Sequence, residues 1–195
     1  MRLTPQTTIG EPSGTRSPRL LLLLLLLWAS LVPFGRSHAQ DAASESELKA
    51  AYLYNFILFS EWPKTAFEGE STPFIIHVYE DDAFTAKLKK DLKDKKAHGR
   101  SFQVETINSP ADAKGSHVIY IPASESRRIP QPLESVKAKP VLTVGDSPQF
   151  LDQGGIINFL VHEKQLRFEI NVAAAEKGDM SISSKLLRLA ITVKK

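Results

Sequence analysis

The stretch Phe74-Ile-Ile-His-Val-Tyr-Glu-Asp-Asp-Ala-Phe-Thr-Ala-Lys-Leu-Lys-Lys-Asp-Leu-Lys-Asp-Lys-Lys-Ala-His-Gly-Arg-Ser-Phe-Gln-Val-Glu-Thr-Ile107 decides the fold. Phe74 to Tyr79 is a short, nearly continuous apolar run, as a strand buried on both faces requires. Phe84, Leu88 and Leu92 then recur at i, i+4 and i+8, the stripe of one helix face. Phe102 to Ile107 returns to strand character. Strand, helix, strand at this spacing is a crossover unit, and crossover units feed parallel sheets.

Downstream the alternation continues. His117 to Ile121 is a predicted strand, Leu133 to Lys137 a weak helix, and Val141 to Val144 a buried strand; a short helix near Phe150 is expected before Gly154-Gly155. Ile156 to Val161 and Leu166 to Val172 flank His162 to Gln165 as a hairpin, and Ser183 to Ala190 is the final helix. Upstream, Ser44 and Glu47 have capping-box spacing, followed by a segment apolar around most of its circumference and stopped by Pro63. The fold class is α/β: a single compact domain, a mixed, mostly parallel sheet flanked by helices, with a C-terminal hairpin and helix.

Eight leucines, Leu20 to Leu27, follow Arg2, Arg16 and Arg19 and precede Ser37 and Ala39. At about 13 residues the apolar run falls short of the roughly 20 that span a bilayer, so residues 1–39 are expected to be a cleavable signal peptide. The working domain is then 40–195, outside the cytoplasm. Taking the four arginines and one glutamate of residues 1–39 from 25 basic and 22 acidic residues leaves 21 of each. The pI near 9.0 belongs largely to the leader, and no nucleic-acid partner is expected. The lysine cluster from Lys87 to Lys96 is interleaved with Asp91 and Asp94, as on a solvated helix face. The chain has no cysteine, which removes lipidation at cysteine, disulfides and thiol chemistry.

Chemistry-bearing motifs are scarce. There is no phosphate loop, dinucleotide fingerprint or G-x-S-x-G elbow. Gly145-Asp146-Ser147 has the outline of an esterase block, but Asp146 or Ser147 before Pro148 reads as a helix cap. His77, His98, His117 and His162 lack local metal-ligand spacing, so no metal and no cofactor is expected, and His77 and His117 read as hydrogen-bonded interior residues. Glu80, Asp81 and Asp82 sit at a strand's carboxyl end, where ligands bind in open sheets, but they read first as a strand-to-helix turn whose negative charge favours the helix N-terminus. Two groups stand out as binding candidates. One is the corner holding Asn55, Glu61 and Trp62; the other is Arg167, Glu169 and Asn171, on one strand face by the period of two. The latter form either a satisfied polar network or the wall of a groove.

In order along the chain, Ala51-Tyr-Leu-Tyr-Asn-Phe56 with Glu61-Trp-Pro63, Pro140-Val-Leu-Thr-Val144, Gly154-Gly-Ile-Ile-Asn-Phe159, Arg167-Phe-Glu-Ile-Asn171 and Ile182-Ser-Ser-Lys-Leu-Leu187 resemble the YfiR-like family of bacterial periplasmic proteins. The resemblance implies a non-catalytic repressor that dimerises. Its partner would be the periplasmic domain of a membrane diguanylate cyclase or sensor kinase, which it restrains, lowering cyclic di-GMP and biofilm formation. An outer-membrane-linked protein would sequester it. The resemblance also implies a small-molecule ligand held by Glu61, Trp62 and Glu169. Glu61 replaces a basic residue of the family pattern, and Ser181 and Ser183 stand near the last helix where the pattern has arginine and histidine, so the ligand differs. Redox gating does not transfer to a chain without cysteine. The alternative function is a small-solute binding protein or minor hydrolase working at Glu80, Asp82, Asp146 and Ser147.

Overall fold

The fold comes from a computed structural model that describes residues 37–195, with side chains from Glu45 onward. The expected leader therefore lies almost wholly outside the described residues. Residues 42–195 form one compact unit.

Helix α1, Ser37–Leu58, leads into a two-residue strand β1, Ser60–Glu61. Then come β2 (Phe74–Tyr79), α2 (Asp82–Leu92), β3 (Phe102–Ile107), β4 (Val118–Ile121), α3 (Pro130–Ser135), β5 (Leu142–Gly145), β6 (Ile157–His162) and β7 (Gln165–Asn171). The chain closes with α4 (Val172–Lys177), β8 (Ser181–Ile182), α5 (Ser184–Leu187) and β9 (Thr192–Lys194). Seven strands make one sheet in the order β3-β2-β4-β5-β6-β7-β9, while β1 pairs only with β8. Every neighbour in the large sheet is parallel except the β6–β7 hairpin. The mixed, mostly parallel α/β sheet is therefore as the alternation of apolar runs implies.

Period-two alternation divides the core between the two faces. Ile76, Val78, Val118, Tyr120, Leu142, Val144, Phe159 and Phe168 face α1 and α2. Tyr79, Ile119 and Ile121 face the other way, onto Ile129, Leu133 and Phe150. On the first face Phe56 lies 5.3 Å from Phe159 and 4.9 Å from Phe168, ring centre to ring centre. Phe56 is fully buried, and burying such a side chain contributes roughly 1.5–3 kcal/mol. The covering layer on the second face stops at β5, so that face of β6 and β7 stays partly wet and carries Arg167 and Glu169.

Several expectations are corrected. Ser44 is no cap: α1 starts at Ser37, and Ser44 lies inside it. Pro63 does not stop α1, which ends at Leu58 so that β1 can pair with β8. Beside its buried Ala50, Leu53, Phe56 and Ile57, α1 keeps an exposed stripe of Leu48, Ala51 and Asn55, at i, i+3 and i+7. There is no helix at Phe150; residues 148–154 form turns, because Phe150 must reach under the sheet. The final helix stops at Leu187, and Thr192–Lys194 pairs with β7 instead, giving backbone partners to what would otherwise be an open edge.

Candidate functional site

After α1 the chain must turn from the helical layer down to the amino ends of the parallel strands. Antiparallel pairing of Glu61 with Ser181 fixes the turn, and Pro63 opens a short 3-10 turn, Lys64–Ala66. Trp62 thereby lands edge-on to Phe74, 4.9 Å between ring centres, and its indole N–H donates to the His117 carbonyl at 3.3 Å. A buried aromatic with a polar tip needs such a partner.

Phe67 lies flat on the His117 ring, 4.4 Å away at 12°. The Arg100 guanidinium sits 3.9 Å from the Phe67 ring centre, a cation–π contact. Arg100 Nη1 also donates to the carbonyls of Gly69, Glu70 and Thr72 at 2.7, 2.9 and 2.8 Å, so one side chain ties down the whole loop. His117 joins loop to sheet: its Nδ1 accepts from Ile75 N and its Nε2 donates to Ala66 O, both at 3.0 Å. Burial pushes the His117 pKa below the ordinary imidazole range, with the Ala66 carbonyl opposing. The result is a cavity of about 280 Å³ bounded by Glu61, Trp62, Phe67, Phe74 and His98. Glu61 accepts from Ser181 Oγ at 3.2 Å.

Of the six expected binding residues, Glu61 and Trp62 share this cavity. Asn55 does not: it is exposed on α1, and its amide donates to the Ala51 carbonyl one turn back. Arg167, Glu169 and Asn171 do share one face of β7, but none lines the Trp62 cavity. Glu169 accepts from Asn158 Nδ2 at 3.1 Å. Asn171 is buried, donates to the Leu151 carbonyl and caps α4 at Ala174 N. Arg167 is exposed. The face is thus a polar network at one end and open surface at the other. Phe67, Phe74, His98, Arg100 and His117 join the site only through tertiary contacts; no periodicity or spacing marks them.

The carboxyl ends of the strands are occupied by structural work. Asp81 accepts from Phe84 N at 2.9 Å as the cap of α2, and Glu80 pairs with Arg128 at 2.5 Å. Asp146 caps no helix, against expectation: it takes Lys49 Nζ at 2.5 Å, Tyr120 OH at 2.7 Å and Ala123 N, pinning α1 to the sheet. Burial opposes the charge of Lys49, but its bonds to Asp146 and Glu45 outweigh that and raise its pKa. Burial first and the Asp146 carboxylate second push the Tyr120 phenol far above its usual range. Ser147 is buried and its hydroxyl meets no partner among the described residues.

One group has the outline of a hydrolytic triad. Ser116 Oγ lies 2.6 Å from His77 Nδ1, and His77 Nε2 is 3.9 Å from Glu105. However, Ser116 spends its proton on the Ala113 carbonyl at 2.7 Å, which leaves its oxygen to accept from His77. His77 is therefore a donor to Ser116 and not its base. This agrees with an interior, hydrogen-bonded His77.

A family model described as YfiR/HmsC-like matches residues 46–191. No curated protein matches the chain. Among solved structures, the crystal structure of a conserved domain protein from Vibrio cholerae O1 biovar El Tor strain N16961 is similar at 16% identity and a TM-score of 0.48, over 62% of this chain and 55% of that one. The chain thus spans a little over half the length of that structure.

Proposed function

The chain belongs to the YfiR/HmsC-like family, and from that premise we propose that it binds the periplasmic domain of an inner-membrane diguanylate cyclase and holds the enzyme in its inactive state. The family is one of periplasmic regulators of diguanylate cyclases, and the observation that carries the proposal is the match over residues 46–191, essentially all of the compact domain. No helix among the described residues is long and apolar enough to cross a membrane, which fits a partner met outside it.

A restraining protein works by binding one state of its target more tightly than the other; a hundredfold difference is about 2.7 kcal/mol of coupling. Val161 and Leu189 supply apolar surface for that contact, at 67% and 62% exposure. Val161 stands opposite Leu166 in the hairpin, and Ile191, itself partly exposed, bonds through its N–H to the Phe168 carbonyl. Apolar side chains thus stand at the hairpin tip and beside β7. The Trp62 cavity serves as the effector site. Its aromatic walls and the Glu61 carboxylate favour a small cationic or amine-bearing ring compound, which distinguishes this chain from relatives with a basic residue there.

Deleting the gene is expected to raise cellular cyclic di-GMP several-fold, with restoration by the wild-type chain. A capture of native membranes on the chain should return a cyclase. Unchanged cyclic di-GMP together with a capture free of cyclase or sensor kinase would remove the proposal and favour a soluble solute-binding role.

A further inference from the structure

A second cavity, of about 300 Å³, lies at the amino ends of β5 and β6, between the turn after α3, the 148–154 turn, α4 and β9. Leu133, Val141 and Leu151 give it apolar walls. Thr143 is 4% exposed; its Oγ1 accepts from Ile156 N at 2.9 Å and, among the described residues, donates to no acceptor. Its hydroxyl proton is therefore uncommitted at the edge of a polar-lined space.

Five lysines line this cavity from three separate regions: Lys137 and Lys139 from the turn after α3, Lys177 from the end of α4, and Lys194 and Lys195 from β9 and the residue after it. Two acids accompany them. Glu134 pairs with Lys137 at 3.1 Å and Asp152 with Lys194 at 2.8 Å, both carboxylates being 71% exposed. Lys177 has no acid partner among the described residues, and Lys139 bonds only the Ser135 carbonyl, at 2.6 Å. In a domain of 21 basic and 21 acidic residues over 40–195, five lysine side chains against two acids leave a local positive excess here.

The convergence is built into the backbone. A Cβ at Gly178 would meet the Lys139 carbonyl oxygen at 2.3 Å, so glycine alone lets the end of α4 close onto that turn and set Lys177 beside Lys139. Ala138, between Lys137 and Lys139, has a φ of 55°, a left-handed conformation unfavourable for a residue with a side chain. Backbone held this way around like charges is the pattern of a site rather than of a free surface.

We propose that this cavity binds a small phosphate monoester, its head among the lysines and the Thr143 hydroxyl and its short apolar body against Leu133, Val141 and Leu151. The phosphate carries about −1.5 to −2 at pH 7, opposite in sign to the local excess of lysine. The cavity, of about 300 Å³, has room for a small ligand. That size admits a short alkyl phosphate.

The test is calorimetric titration, at low salt, of the chain recovered from an exporting host with butyl phosphate and with inorganic phosphate. Expected are saturable binding of butyl phosphate, at least threefold tighter than inorganic phosphate, and a tenfold or greater loss in Lys139→Gln/Lys177→Gln. Lys89→Gln/Lys90→Gln on α2 is the charge-matched control and should bind as the wild type does. All four lysines are exposed, so both variants should melt like the parent. No saturable binding, unchanged affinity in the Lys139/Lys177 variant, or equal loss in both variants would overturn the proposal.

Discussion

Phe150 is fully buried between Gly145 and Gly155, and a Cβ built at Gly155 would come within 2.1 Å of its ring. The ring is fully buried, so it can shift only by displacing its core neighbours. Gly155→Ala is therefore expected to cost about 1–3 kcal/mol, as overpacking does, read as a lower urea midpoint with an unchanged slope; an unchanged midpoint would show that the ring can move. Histidine ionisation is the second residue-scale consequence. Burial is the main cause holding His77 and His117 below the ordinary range, opposed by Glu105 and by the Ala66 carbonyl respectively. An unfolded histidine takes up its proton near 6.5, while these folded rings refuse it until lower pH. Their contribution to stability is complete above about 6.5 and falls as pH drops below that value. Urea midpoints at pH 7.5 and 5.5 should differ accordingly. In His117→Asn, whose amide oxygen can replace Nδ1 as acceptor for Ile75 N, the fall should be smaller.

At the scale of elements, the β6–β7 hairpin turns through Glu163 and Lys164, with φ of 50° and 62°. A two-residue turn with both residues left-handed matches strand twist and is normally made by Asn-Gly. Glu163→Asn/Lys164→Gly should stabilise the protein by about 1 kcal/mol, near the cost of one left-handed residue, or about 2–4 °C in Tm for a chain of this size. A calorimetric melt unchanged or lowered would show that the turn is not strained. The hairpin itself is legible in the sequence, because two apolar runs flank a charged tetrapeptide. Its two-residue turn is not, because Glu-Lys carries no turn signature. α2 was legible for the same kind of reason: Phe84, Leu88 and Leu92 make a stripe, and all three are buried. Thr192–Lys194 gave no strand signal, since three residues of a polar edge have no pattern and are held only by β7.

For the whole molecule, regulation needs a surface that does not serve folding. Val161 is such a position, exposed at the hairpin tip and unused by the core. Val161→Asp is expected to leave the melting temperature within about 2 °C, as surface changes of under 0.5 kcal/mol do, while raising cyclic di-GMP toward the level of the gene deletion. Retention of full restraint by this variant would place the cyclase contact elsewhere. The Trp62 corner and the lysine-lined cavity occupy different parts of the same domain, so Trp62→Ala should leave binding of butyl phosphate unaltered in the titration described above.

The order of apolar runs by itself determined the class of sheet, because parallel strands buried on both faces require near-continuous apolar runs and crossover helices require a stripe. Ordered short blocks such as Glu61-Trp62-Pro63 and Arg167-Phe168-Glu169 also pointed to the family, as strings that need no folding to be read. Only tertiary structure decided the sites. Asp146 holds α1 instead of capping a helix because Lys49, distant in sequence, arrives beside it. The residues that line the Trp62 cavity come from the end of β1, the loops before β2 and before β3, and the start of β2. Lys139 and Lys177 meet because a missing Cβ at Gly178 lets two backbones close. Periodicity records which face of an element is buried; it does not record which element will be waiting there.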